Sequence, residues 1–281
     1  MRELWISRKS GRRRTGTRVS ELRRLFEIGI TAQAIEEPLQ CCPSSDPACE
    51  VAETMHQLDF DVFGVKNLKD GPIIGFICAR DLNQGQCQEY IHPFDLSNLI
   101  SNSTPLINVL PILRDKQRVF VLSENIVTGI ITRADLQKPP VRILLFGLVS
   151  LLEIHLSYLI RQFYQGDSWK KKLNKKRIAH AETIMSERVT RNESLDLVDC
   201  LQFCDKRDLT AAHPEIRRIL HFTSKGSGIE LLRSIEKMRD KLAHSQDVVA
   251  GTTWEEIIDL AGNIEKLIQR SENIVYKKQG T

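Results

Sequence analysis

An α/β half followed by an all-α half is the fold class this sequence predicts, and three observations predict it. A β-rich segment is stated twice between residues 34 and 136, strand-like alternation disappears from Val141 onward, and a Pro139-Pro140 pair stands between the two regimes. The 281 residues suffice for two domains of ordinary size, expected at 25–138 and 141–278 behind a basic arm at 1–24. Apolar residues at 41% and charged residues at 27% describe a soluble globular protein. A formal net charge of +4 is too small to name a partner, so its distribution matters more.

The arm holds RKSGRRRTGTR (residues 8–18), which is basic, rich in Gly, Ser and Thr, and without apolar periodicity. Such composition predicts a solvated, disordered segment, with weak nucleic-acid contact as the sharper alternative. SELRRLFEIGI (20–30) then begins as a helix, although Ser20 is followed three residues on by a basic pair instead of a capping-box Glu.

The repeat comes next. Its first copy, VAETMHQLDFDVFGVKNLKDGPIIGFICARDL, ends at Leu82; its second, LINVLPILRDKQRVFVLSENIVTGIITRADL, ends at Leu136. Each runs from a helix-like stretch into a β-rich segment, Val62-Phe63-Gly64-Val65 or Val119-Phe120-Val121-Leu122. A polar turn (67–71 or 123–125), a second strand and the start of a helix follow, so each copy predicts a hairpin.

The strand ends align as GFICARD (75–81) and GIITRAD (129–135), about 54 residues apart. They resemble the closing motif of CBS domains, and the resemblance covers roughly a hundred residues. It implies tandem βαββα-type repeats that bind an adenine or related signalling nucleotide as a regulatory ligand. A carboxylate at the strand-to-helix junction would accept hydrogen bonds from ribose hydroxyls, and nearby backbone N–H groups would favour phosphate. Carried over, Thr132 and Asp135 serve the second site. Asp81 remains at the first, but Cys78 takes the hydroxyl position, so one good nucleotide site is expected, at Thr132 and Asp135. The alternative is that both aspartates only cap the following helices.

Pro139-Pro140 interrupts any helix from Asp135, and Pro140 is expected to open the next one after a short linker. Helical segments follow at 141–164, at 196–205 with a continuation past Pro214, at 229–244 and at 254–271; residues 168–188 are also helix-compatible. A four- or five-helix bundle is the simplest architecture. ILLFGLVSLLEIHLSYLI (143–160) has the length of a minimal membrane span, but Glu153 and His155 lie inside it, so a buried helix also used in dimerisation is expected. Lys170, Lys171, Lys172, Lys175, Lys176 and Arg177 form a second basic cluster. It reads as solvated surface, or as a phosphate contact with Trp169 stacking on a base.

Near the end stands KMRDKLAHSQ (237–246). Leu231, Ile235, Met238 and Leu242 form its buried stripe, which puts Asp240 and His244 one turn apart on another face. Arg239 lies about 140° round from His244 at the helical 100° per residue, with a side chain long enough to curve back. An Asp can orient an imidazole, and an Arg is a permanent cation shaped for phosphate oxygens. These groups suit RNA cleavage by the adjacent 2′-hydroxyl, with no metal required. The spacing is similar to that of HEPN domains, with LQFCDKRD (201–208) and the Trp254 segment adding to the likeness. That resemblance implies a homodimeric, metal-independent endoribonuclease with Arg239 and His244 catalytic and Asp240 orienting. The plainer alternative is an exposed Asp–His pair beside a surface Arg, in a non-catalytic binding module.

The seven cysteines are scattered, no CxxC pair occurs, and no secretory apolar segment opens the chain; reducing cytoplasm is the expected setting. Cys200 and Cys204 lie one turn apart but lack further ligands at matching spacing, and His155, His180, His213 and His221 show no metal-ligand spacing, so no metal site is expected. The combined expectation is a nucleotide-regulated endoribonuclease without a membrane span. Its alternative is a dimeric nucleotide-sensing module that binds RNA or protein.

Overall fold

The computed structural model describes residues 24–25, 27–68, 70–191, 196–244 and 246–277, and the basic arm at 8–18 lies outside them. Two compact units emerge, one of Glu27–Val141 and one that contains Arg142–Thr281.

In the first unit a short strand, β1 (Glu37–Pro38), precedes two β-α-β-β repeats. They are β2 (Cys41–Pro43), α1 (Ala48–Gln57), β3 (Val62–Lys66) and β4 (Ile73–Cys78), then β5 (Leu99–Ser101), α2 (Leu106–Asp115), β6 (Arg118–Ser123) and β7 (Ile126–Thr132). Each leading strand pairs parallel with the next, which turns back into an antiparallel hairpin. Both hairpins shift register at matching places, Val65/Lys66 and Val121/Leu122. The second turn is Glu124-Asn125 with φ of 50° and 65°, the left-handed pair a two-residue hairpin loop demands.

The repeats complete each other. β1 joins the second sheet, giving the order β1-β7-β6-β5, with Glu37 opposite Ile130. The segment before the second repeat does the same for the first: His92 and Phe76 exchange backbone hydrogen bonds of 2.8 and 3.0 Å. Phe76 and Ile130 occupy the same motif position, so His92 stands to the first repeat as Glu37 stands to the second. The motif glycine now has a steric cause. A Cβ on Gly75 would lie 2.4 Å from Ile91 Cγ2 and 2.7 Å from the His92 carbonyl oxygen, and one on Gly129 would lie 3.0 Å from the Glu37 carbonyl oxygen. Leu39, Val62, Cys78, Phe120 and Val127 pack together, so the two repeats share a core.

The closing helices expected after each motif shrink to 3-10 turns, Ala79–Asp81 and Arg133–Gln137. Gly85, at φ 92°, belongs to the turn that redirects the first copy. The second stops at Lys138, and the next helix opens at Pro139, one residue before the expected start.

The second unit is helical: α3 (Pro139–Phe163), α4 (Lys175–Thr190), α5 (Phe203–Ala212), α6 (Pro214–Leu220), α7 (Lys225–Ala243) and α8 (Trp254–Lys277). α3 is long and apolar enough to cross a membrane, yet two thirds of its most apolar stretch is buried within the protein. Leu144, Leu148, Leu152, Leu156 and Leu159 lie inside, and Ile143 and Phe146 remain exposed. His155 is buried too, its Nδ1 3.0 Å from Ser271 Oγ on α8, and burial pulls its pKa down to about 4.

The helix expected over 196–205 breaks in two because its polar residues cap instead of continuing. Asp196 and Asp199 close a 3-10 turn, and Gln202 and Asp205 form a capping box that starts α5. Residues 168–188 divide likewise, since Asn174 accepts from Arg177 N at 2.9 Å and starts α4 afresh. Arginines finish the other ends. Arg217 donates to the Ala211 and Ala212 carbonyls of α5, and Arg270 donates to the Leu220 carbonyl of α6.

Candidate functional site

Two places hold the residues that the sequence singles out. The first is the carboxyl end of α7. Ser224 caps its start, accepting from Ser227 N at 3.0 Å; of the expected stripe Ile235, Met238 and Leu242 are buried, but Leu231 is only half-buried and Leu232 takes the inner place. Arg239 is half-buried, with its guanidinium 5.8 Å from the centre of the Phe203 ring. It donates to Asp240 Oδ1 from Nη2 at 3.0 Å and from Nε at 3.2 Å. The Asp240 carboxylate is thus held by its neighbour and does not serve as the support expected for the imidazole. His244 is the exposed C-cap residue, bonded through its backbone N to the Asp240 carbonyl at 3.0 Å. Arg239 and Asp240 are therefore brought together, and His244 stands apart at the end of the helix.

That helix end is braced. Arg142 donates to the carbonyls of Gln246, Lys241 and Leu242 at 2.9, 3.3 and 3.2 Å, and Lys241 Nζ reaches the Val248 carbonyl at 3.1 Å. The charges of LQFCDKRD turn inward as well. Lys206, 4% exposed, meets Glu153 of α3 at 2.7 Å; Arg177 of α4 holds Asp205 and Asp208; Arg207 meets Glu236 of α7. This stretch is the ionic frame of the bundle. Arg177 and Lys170 leave the basic cluster for ion pairs, and Lys171, Lys172, Lys175 and Lys176 stay exposed. Trp169 is 2% exposed, so it cannot stack on a base as the sequence suggested.

The second place is the pair of motif ends in the first unit. At Thr132 and Asp135 the polar groups are occupied. Asp135 Oδ2 accepts from Thr132 N at 2.7 Å and from Thr132 Oγ1 at 3.0 Å, a capping box in which the carboxylate is buried. Lys138 Nζ lies 2.8 Å from Asp135 Oδ1, donates to the Ile35 carbonyl at 2.6 Å, and pairs with Glu37. Burial alone would lower the lysine pKa, but the two carboxylates outweigh it and raise it. The geometry here is the helix-capping alternative.

The first repeat's end is open. Phe76, Cys78, Arg80, His92, Asn98, Lys116, Gln117, Arg118 and Phe120 line a cavity of about 370 Å³. Phe76 and Phe120 are its aromatic lining, and Phe94 packs against both, with ring centres 4.7 to 5.9 Å apart. Arg118 Nη1 lies 3.4 Å from Cys78 Sγ, and Asp81 meets His92 Nε2 at 3.1 Å. An aromatic face beside cations suits a base and a phosphate. Sequence reasoning missed Lys116, Arg118, Phe120 and His92 because they lie in the other repeat or between repeats. The available signal was KQRVF, basic and aromatic, at the head of the second hairpin.

No family model matches the chain, and no curated protein matches it. Solved structures similar to it include CBSX2 in complex with AMP, at 18% identity and TM-score 0.36 over 41% of this chain and 98% of that one. Hypoxic Response Protein I with two coordinated zinc ions is similar at 20% identity and TM-score 0.32, over 38% and 96%. The CBS domains of a transcriptional regulator from Streptococcus pneumoniae are similar at 20% identity and TM-score 0.33, over 38% and 95%.

Proposed function

We propose that residues 27–141 form a CBS-type pair that senses an adenine nucleotide, and that the ligand enters the first-repeat cavity. The observation that carries this is the asymmetry of the two motif ends. Asp135 is buried and fully bonded, whereas Asp81 is 35% exposed and contacts Arg80 and His92, two residues that line the roughly 370 Å³ cavity. The base would stack on half-buried Phe76, Asp81 would accept from the ribose, and Arg80 and Arg118 would meet phosphate. The test is calorimetric titration with AMP, ADP and ATP. Wild type should bind one nucleotide per chain, and Arg118→Ala should weaken binding at least about tenfold, the cost of one charge-assisted bond. Absence of binding by all three, or equal binding by Arg118→Ala, would sink the assignment.

For the helical unit we infer a homodimeric, metal-independent endoribonuclease, regulated by the nucleotide-sensing pair. Its support is that both Arg239 and His244 remain at the surface of α7, on a terminus fixed by Arg142. With Asp240 given to Arg239, the imidazole lacks a partner from its own helix, so the composite cleft requires a second copy. Purified protein should cut a mixed RNA pool in EDTA and leave 2′,3′-cyclic phosphate ends, while His244→Ala should not. If neither cuts any pool, with or without nucleotide, the unit is a binding module.

A further inference from the structure

We propose that the first repeat carries a zinc-type divalent cation site formed by Cys78 Sγ, the Asp81 carboxylate and His92 Nε2, opening onto the neighbouring cavity. These ligand atoms all lie within 4.8 Å of one another, and the His92–Asp81 separation is 3.1 Å. A tetrahedral ion with ligands at its usual bond lengths needs about 3.3 Å between nitrogen and oxygen and about 3.6 Å to sulfur. The nitrogen–oxygen edge is nearly met, and each edge to sulfur needs to shorten by no more than roughly 1.2 Å.

Two stretches of backbone, 78–81 and the segment around His92, fix the donors. Cys78 ends β4, and Ala79 N behind it donates to the Asp61 carbonyl at 2.9 Å. Asp81 sits in the following 3-10 turn, and His92 is locked to Phe76 by paired backbone bonds. Ligands carried on hydrogen-bonded segments lose little freedom when an ion arrives.

The protein supplies its own comparison at the other end. Thr132, Asp135 and Glu37 occupy the positions equivalent to Cys78, Asp81 and His92, and there a cation is already present: the ammonium of Lys138, held by Asp135, Glu37 and the Ile35 carbonyl. Three residues after Asp81 the chain has Gln84, which carries no charge. The first end therefore lacks the built-in cation. It also exchanges a hydroxyl for a thiol and a carboxylate for an imidazole, donors that favour zinc over magnesium or calcium. Arg118, 3.4 Å from the sulfur, stays as an outer partner to the thiolate. Both Cys78 and His92 line the cavity, so the fourth coordination position faces it and takes water or an anionic oxygen.

The full chain, stripped with EDTA and dialysed, is titrated with Co²⁺ and with Zn²⁺ alone. Wild type should take one ion per chain, and the cobalt form should show a thiolate charge-transfer band in the near ultraviolet. Zn²⁺ should raise its melting temperature. Cys78→Ser should abolish the band, and His92→Ala, at a half-exposed ring, should weaken uptake at least about tenfold. Cys49→Ser, at an exposed thiol, should change nothing. No stoichiometric uptake, or a band that survives Cys78→Ser, overturns the assignment. Because the ion is added without nucleotide, failure here leaves the nucleotide reading standing.

Discussion

Protonating His155 should destabilise the helical unit, and the size of the effect follows from its position. The ring is 2% exposed, Nδ1 faces Ser271 Oγ, and Nε2 has no hydrogen-bond partner, with Glu272 Oε1 at 3.9 Å. That carboxylate is too far to bond, so burial decides the balance and the folded pKa falls from 6.5 to about 4. Above pH 6.5 both states hold the neutral ring and nothing is lost. As pH falls, the unfolded chain takes up the proton first, which favours unfolding. The loss from this group is about 2 kcal/mol at pH 5 and levels off near about 3 kcal/mol below pH 4. Urea unfolding followed by tryptophan fluorescence reads it, because buried Trp169 belongs to the same unit. His155→Gln keeps a partner for Ser271 and removes the titration. Wild type should lose about 2 kcal/mol more than His155→Gln between pH 8 and pH 5. Parallel curves for the two proteins would refute the reasoning.

Gly75→Ala should cost about 2–3 kcal/mol by forcing Ile91 and the His92 backbone away, and Gly129→Ala should cost less, since its nearest atom is 3.0 Å away instead of 2.4 Å. Chemical denaturation of both variants compares them directly. Arg142→Ala removes the donor shared by three carbonyls at the end of α7 and should cost about 1–2 kcal/mol, with faster hydrogen exchange confined to the turn bearing His244. Glu153→Gln leaves the Lys206 ammonium buried without its carboxylate and should cost on the order of 3 kcal/mol, whereas Lys206→Met should cost less; urea midpoints decide the order.

The repeat, both hairpins and the stripe of α7 were legible in the sequence because each is set by local periodicity. Residues 196–205 misled because Asp196, Asp199, Gln202 and Asp205 are compatible with a helix yet act here as caps. The candidate sites were harder to read, since their determinants are distant in the chain. Glu37 reaches Lys138 across 101 residues, and Arg118 reaches Cys78 across 40. A motif marks Asp135 as a binding carboxylate, but whether its oxygens remain available depends on those far partners. At KMRDKLAHSQ the helical spacing placed Asp240 under His244, and the adjacent Arg239 captured it instead through its longer reach.

The crossing of β1 into the second sheet has a consequence for how the chain is made. Glu37 must wait for Ile130, so a strand synthesised among the first finds its partner only after both repeats have been produced. Closing so long a loop is slow, and until it closes the outer edge of β7 presents unpaired peptide groups that another chain could join. Nascent first repeats also lack the His92 segment that finishes their own edge. Folding of this unit is therefore a late, nearly simultaneous event, and a chain stalled before residue 126 should be prone to aggregate.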